Sequence, residues 1–369
     1  MDACLNSRYP QQLSRMEKFL LSCALFSYYL GDIAIVPWSV SLFSLLLIRS
    51  QALVTLFLYI SPLVLMLVAR ATVMGGDWVE SIKDLRFYWG FLPFLVYFRS
   101  IINFTPNGRE VLFNYFKKFF FYALIFLVLE FISANFLHIE WPNRFVNPTD
   151  AFEMNVSRAF GFGANSTVTA VLFLALSSVI YRGFFQDLFV IVFATSGTGA
   201  VALLIKAILR SKLHIKLLFL FSFLSLFIFI SQSDLAKNYT DLQKLGTTYF
   251  EFILNYKLDQ IRDSNFGSLS IPDLLIGRDM TQVQLRTGDF QMLDFLLATG
   301  MLGAVYFISL VISNLKKQNY IPIIICFIGS FHYQIFFSMP GTLLFAWFLA
   351  YDGSSVNRSE VLSLMSTEV

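Results

Sequence analysis

Apolar positions dominate the chain in long runs near 19–31, 34–48, 52–69, 85–104, 113–137 and 165–181. Further runs follow near 184–195, 197–209, 215–232, 290–312, 320–337 and 341–351. Runs of this kind predict helices that cross a bilayer, whose hydrocarbon core takes about 20 residues of helix. Several are short and are parted by Gly, Pro or Asp rather than by loops. The segment 184–209 carries Ser196-Gly197-Thr198-Gly199 at its centre, which predicts two half-length helices meeting at a Gly-rich point. The expectation is an all-α polytopic membrane protein with about twelve transmembrane helices. No cleavable signal pattern is expected ahead of the first run.

Composition agrees. Of 369 residues, 57% are hydrophobic and 14% charged, against about 25% charged in a soluble domain. A soluble fold could not bury that apolar fraction, and the balance excludes nucleic-acid binders and secreted disulfide scaffolds. The 43 phenylalanines suit a lipid-facing surface. Cys4, Cys23 and Cys326 form no metal or disulfide pattern.

Lys and Arg set the expected sidedness, since they gather on the cytoplasmic side. Arg8, Arg15 and Lys18 place the N-terminus inside. Arg99, Arg109, Lys117 and Lys118 mark a second inner loop, Lys206, Arg210, Lys212 and Lys216 a third, and Lys316 and Lys317 a fourth. The segment 71–84 is acidic, with Asp77, Glu80 and Asp84 against Lys83. Both termini are then cytoplasmic. Trp38, Trp78 and Trp141 fall at outer boundaries, as in an interfacial aromatic belt.

Two outer segments exceed ordinary connectors: 138–164 and 233–288, the second with seven acids and six bases between Asp234 and Arg286. Leu242, Leu245, Tyr249, Phe252, Ile253, Tyr256 and Leu258 recur at near-helical spacing, so an amphipathic helix is expected there. The outer loops hold Arg144, Arg158, Arg262, Arg278 and Arg286. Arginine on that side is unexpected from the charge rule, and its planar fork suits phosphate oxygens. Individually each could anchor a helix end or form a surface ion pair.

Ser157-Arg158-Ala159-Phe160-Gly161-Phe162-Gly163-Ala164-Asn165-Ser166-Thr167 directly precedes a span. Gly161 and Gly163 permit close backbone approach, and Asn165, Ser166 or Thr167 could cap the helix that follows. Arg286-Thr287-Gly288-Asp289 precedes another span. Asp289 reads either as an N-cap or as a carboxylate that orients or deprotonates a substrate hydroxyl. Asp294 lies roughly 7.5 Å deeper along the helix, and with Glu130 and His332 it is either a hydrogen-bonded packing residue or a group facing a polar cavity. The Ser196–Gly199 turn is either a helix junction or a re-entrant cavity floor.

Over roughly 155–310 these features resemble, in order, the bacterial O-antigen polymerase (Wzy-type) and O-antigen ligase superfamily. Arg158 with Gly161 and Gly163 stands before a span. The Ser196–Gly199 turn leads into Ala200, where relatives often carry Ser-Arg-Gly-Ala. A large loop closes on Gly288-Asp289 before Leu296, Leu297, Gly300, Leu302 and Gly303.

The resemblance implies a GT-C-like membrane fold with a large helical periplasmic loop. It also implies an inverting, metal-independent glycosyltransferase with no cofactor, in the bacterial inner membrane. Undecaprenyl-pyrophosphate-linked glycans would serve as donor and acceptor in lipopolysaccharide and related polysaccharide biosynthesis, with a chain-length regulator as a further partner. By the same resemblance Arg158, Arg278 and Arg286 bind pyrophosphate, Asp289 is catalytic, and Glu130, Gly161, Gly163, Ser196 and Asp294 face the cavity. This chain lacks the arginine of Ser-Arg-Gly-Ala, and residues 233–300 contain no histidine, which ligases tend to carry near this span. Polymerase is therefore favoured over ligase. A lipid-linked oligosaccharide flippase is the competing class, but it predicts repeated halves and midplane polar residues, and no clear repeat is present.

Overall fold

The computed structural model describes residues 13–75, 77–137, 139, 159–163, 165–180, 184–194, 196–211, 249–263, 269–278, 290–331 and 333–353. Every regular element among them is helical. In order these are α1 (Arg15–Leu25), α2 (Ile35–Ile48), α3 (Ser50–Met74), α4 (Trp78–Trp89), α5 (Phe91–Phe104), α6 (Gly108–Phe136) and α7 (Ser166–Ile180). They continue as α8 (Phe184–Ala194), α9 (Gly197–Arg210), α10 (Tyr249–Asp263), α11 (Ile271–Ile276), α12 (Gln291–Asn314), α13 (Tyr320–Ser330) and α14 (Met339–Ala350). Short 3-10 turns at Ser27–Ile33 and Gly161–Gly163 complete the set. Each apolar run of the sequence coincides with one or two of these elements, except 215–232, which lies outside the described residues.

Among the described residues, three stretches are long and apolar enough to cross a membrane: Ala52–Val73, Gly108–Phe136 and Gln291–Asn314. Several of the rest are shorter, between 11 and 15 residues. Two of the short ones are also the most enclosed. All of α7 from Ser166 to Ser177 and all of α14 from Pro340 to Ala350 are buried. A helix apolar on every side belongs in the interior of a bundle. Wrapped in protein, it can end early, because neighbours shield its terminal backbone groups from lipid.

Packing follows that division. α14 lies against α5, α13 against α7, and α1 against α2. Phenylalanine is not confined to the lipid surface, as its abundance suggested. Phe91, Phe295, Phe307, Phe336 and Phe345 are buried in one ring cluster, with Phe336 and Phe345 centroids 4.4 Å apart. Phe116 stacks on Trp347 at 4.1 Å. Lipid tails are as apolar as leucine, so helices in a membrane associate through close packing, and aromatic faces supply it.

Polar side chains tie several helix ends together at one end of the bundle. Ser14 and Glu17 form a reciprocal capping box on α1. Glu17 accepts from Arg49 Nε at 2.9 Å and from Tyr97 OH at 3.2 Å, while Arg49 Nη1 donates to Thr105 Oγ1 at 3.0 Å. Arg109 and Lys316 both reach Asp352, at 2.7 and 3.6 Å. Arg109 and Lys316, which the charge pattern assigns to one side, meet on Asp352.

Three expectations need correction. Trp38 is buried and donates from Nε1 to the Met339 carbonyl at 3.1 Å, so it belongs to the interior and not to an interfacial belt. Arg99 lies within α5 and bonds Tyr59 OH and Asn314 Oδ1, so it is not a loop residue. Lys206 is buried in α9, with Nζ 2.5 Å from Asp187 Oδ2 of α8 and 2.6 Å from Ser177 Oγ of α7. Burial of both charges is tolerable because each has its partner. The C-terminal end of α9 is instead marked by Arg210, which donates to the Ser178 carbonyl at 2.5 Å.

Candidate functional site

The far end of the bundle carries two polar constellations. The first is built where α6, α7 and α9 converge. Glu130 is buried near the end of α6, and its two oxygens accept from Phe160 N and Gly161 N, each at 2.9 Å. Gly161 has φ +59°, where a Cβ would lie 2.6 Å from the Thr169 methyl. Thr169 Oγ1 accepts from Gly163 N at 2.9 Å and donates to the Phe160 carbonyl. Asn165 Oδ1 accepts from Thr167 N at 2.8 Å, the capping role that its position suggested. Ser196 Oγ donates to Thr167 Oγ1 at 3.1 Å and accepts from Gly199 N at 3.0 Å, capping α9.

Four of the sequence candidates, Glu130, Gly161, Gly163 and Ser196, thus belong to one hydrogen-bonded assembly. The two half-length helices expected around Ser196 are α8 and α9, both packed on α7. Glu130 is buried and receives two backbone N–H groups from the Phe160–Gly163 turn. Its structural effect is to hold that turn rigid. Ala159 N donates to the Phe193 carbonyl at 3.3 Å, which fixes the start of that turn against α8.

The second constellation surrounds a break in α12. Gly300 has φ +63° and ψ −174°, outside helical geometry. Such a residue interrupts the helical ladder and leaves the carbonyls just before it in need of donors. Two arrive from elsewhere in the chain. Arg278 N donates to the Leu297 carbonyl at 2.9 Å, and Arg70 Nη1 to the Ala298 carbonyl at 3.1 Å. Gly277, at φ +82°, lets α11 approach: a Cβ there would meet Ala298 O at 2.4 Å, and one on Gly300 would meet Gly277 N at 2.4 Å. Backbone therefore lies on backbone, and Arg278 is delivered to a defined place on α12.

Arg70 also reaches Asp84 Oδ2 of α4 at 3.0 Å, and both residues are buried. The cavity beside them, lined by Met66, Ser81, Thr299 and others, measures about 40 Å³. That is room for a water molecule and little more, so the Arg70–Asp84 pair clamps α3 and α4 onto α12. The sequence reading missed this pair. Its signal was an arginine inside the apolar run of α3, followed by an acid on the next helix. Asp84 was counted only toward the acidity of 71–84.

Asp294, buried on α12, stands one turn before Leu297 and Ala298 and shares their face. One turn earlier on that face, Gln291 Oε1 accepts from Ile335 N at 2.6 Å. Arg278 and Asp294 are thus brought to the same stretch of α12, while the Glu130 assembly is a separate one. Arg158, Arg286, Asp289 and His332 lie outside the described residues. The amphipathic helix is found in its described part as α10, where Tyr256, Leu258 and Ile261 are exposed and Lys257 Nζ lies 5.2 Å from the Phe290 ring centroid. Among the described residues no three His, Cys, Asp or Glu side chains converge.

Neither the family models nor the curated proteins searched contain a match to this chain.

Proposed function

We propose that the chain is a polysaccharide polymerase of the bacterial inner membrane, a glycosyltransferase with about twelve spans, cytoplasmic termini and a GT-C-like arrangement. It joins oligosaccharide repeats carried on undecaprenyl pyrophosphate at the periplasmic face. The acceptor hydroxyl attacks the anomeric carbon, the sugar–phosphate bond breaks with inversion, and the proton passes to Asp289. Negative charge grows on the departing diphosphate, and Arg158, Arg278 and Arg286 stabilise it where water is scarce.

One observation carries this reading. The backbone of Arg278 is locked through Gly277 and Gly300 onto α12, on the face that bears buried Asp294. An arginine with a fixed backbone has less freedom to lose on binding, which is the arrangement electrostatic catalysis favours. The membrane-crossing helices supply the matching medium for a lipid-linked substrate.

The test is complementation in cells lacking their own polymerase. Arg278→Ala, Arg158→Ala, Arg286→Ala and Asp289→Asn are each expected to insert normally and lose long polymer, with transfer down roughly 10²-fold. Wild-type ladders from the arginine variants would refute the role. Single-repeat glycan made by the wild-type chain would point to a ligase instead.

A further inference from the structure

A cavity larger than the one beside Arg70 is also bordered by described residues. It lies at the opposite end, between the starts of α1 and α6, with a volume of about 370 Å³. Leu13, Lys18, Asn107, Val111, Tyr115 and Lys118 line it, together with Asn114 and one acid, Glu110. Two cations against one anion leave the lining with a net positive charge. Glu110 belongs to the first turn of α6, where a carboxylate complements the helix start.

Position along the helices says what kind of ligand would reach it. Lys18 directly precedes the run 19–31 and Lys118 lies near the start of the run 113–137, so both lysines stand near the polar ends of apolar segments. The helices are joined beneath the cavity: Ser22 Oγ and Tyr115 OH are 3.0 Å apart, and Phe26 packs on Phe119 at 5.3 Å. From Lys118 an exposed apolar stripe runs down α6 through Tyr122, Ile125 and Leu129, at the spacing of a single helix face. Phe19 is exposed beside Lys18 on α1. A positive, hydrogen-bonding cavity thus opens at headgroup depth above a strip suited to an acyl chain.

We infer that this cavity binds an anionic phospholipid, with the phosphodiester between Lys18 and Lys118 and the tail along the Tyr122–Leu129 face of α6. Asn107 and Asn114 supply neutral hydrogen bonds to the phosphate and glycerol oxygens. The volume falls at the lower end of the roughly 300–1,000 Å³ of small-molecule sites, which fits a headgroup and excludes a whole lipid. The assignment is independent of the glycan chemistry, because none of its residues takes part in the proposed transfer.

The full chain, purified in detergent, is to be titrated with dioleoyl phosphatidylglycerol or dioleoyl phosphatidylcholine, and bound lipid counted by native mass spectrometry. Lysines beside an anionic surface give a preference of roughly 10- to 30-fold for the anionic lipid when two act together. Lys18→Gln/Lys118→Gln is expected to bring that preference close to unity while keeping the melting temperature measured in phosphatidylcholine. A preference unchanged in the double variant would overturn the site. So would displacement of the anionic lipid by inorganic phosphate at equal concentration, which would make this a site for free anions.

Discussion

Glu17 occupies the first turn of α1, just before the apolar run begins, with one oxygen on Arg49 Nε and the other on Ser14 N at 2.8 Å. Burial alone would raise its pKa. The Arg49 hydrogen bond, the Ser14 backbone N–H and the Arg49 charge outweigh that and hold the carboxyl below its ordinary value. A folded pKa below the unfolded one adds stability that is present above the unfolded value, near 4.3. That stability is lost as pH falls through the folded value. Melting temperature should therefore drop on acidification below about pH 4.3, and Glu17→Gln should flatten this acid limb while lowering stability near neutrality. An identical acid limb in the variant would show that Glu17 is not its source. The same residue-level logic explains Lys206, whose sequence neighbourhood looks like a loop. Its side chain is instead satisfied by Asp187 and Ser177, partners on two other helices.

Among the elements, α12 depends on two glycines for different reasons, its own Gly300 and Gly277 at the end of α11. Gly300 bends the helix, and Gly277 lets the α11 end dock on the bend. Gly75 offers an internal comparison: its φ is +63°, the same as Gly300, yet a Cβ there meets nothing within 4 Å. Gly75→Ala should cost only the left-handed penalty, about 1 kcal/mol. Gly300 has ψ −174° where Gly75 has 27°, which puts Gly300 in a backbone region reserved for glycine. Gly300→Ala therefore adds both a larger conformational penalty and a backbone collision, and should cost more than about 3 kcal/mol. Thermal unfolding in detergent checks the order. Equal costs at the two positions would mean that α11 does not rest on the break. Since Arg278 is delivered by this contact, Gly300→Ala should also shorten polymer chains.

At the scale of the whole molecule, polar contacts separate toward two ends of the bundle. Arg49, Thr105, Arg109, Lys316 and Asp352 meet through ion pairs and hydrogen bonds at one end of the bundle. Glu130, Ser196, Arg70 and the Gly300 break lie toward the opposite ends of their helices. The proposed sidedness then predicts cysteine labelling. In a background with Cys4, Cys23 and Cys326 replaced, Leu258→Cys should react with an impermeant maleimide once the outer membrane is opened. Lys317→Cys should react only after the inner membrane is breached. Both positions are exposed, so reaction depends on the side of the membrane alone. The reverse pattern would place α10 and its neighbouring arginines in the cytosol and remove the basis for diphosphate binding.

Hydrophobic runs alone located nearly every described helix, because burial in lipid or in a helical interior selects the same apolar residues locally. The capping of α7 by Asn165 and the break between α8 and α9 at Ser196 were legible for the same reason, since both are contacts within a few residues. What sequence could not reveal is which apolar face meets protein and which meets lipid, as Trp38 and the phenylalanine cluster illustrate. Nor could it pair Glu130 with Phe160 and Gly161, Arg70 with Asp84, or Arg278 with Leu297. Those partners are far apart along the chain, and only the folded packing of helices brings a donor to each buried acceptor.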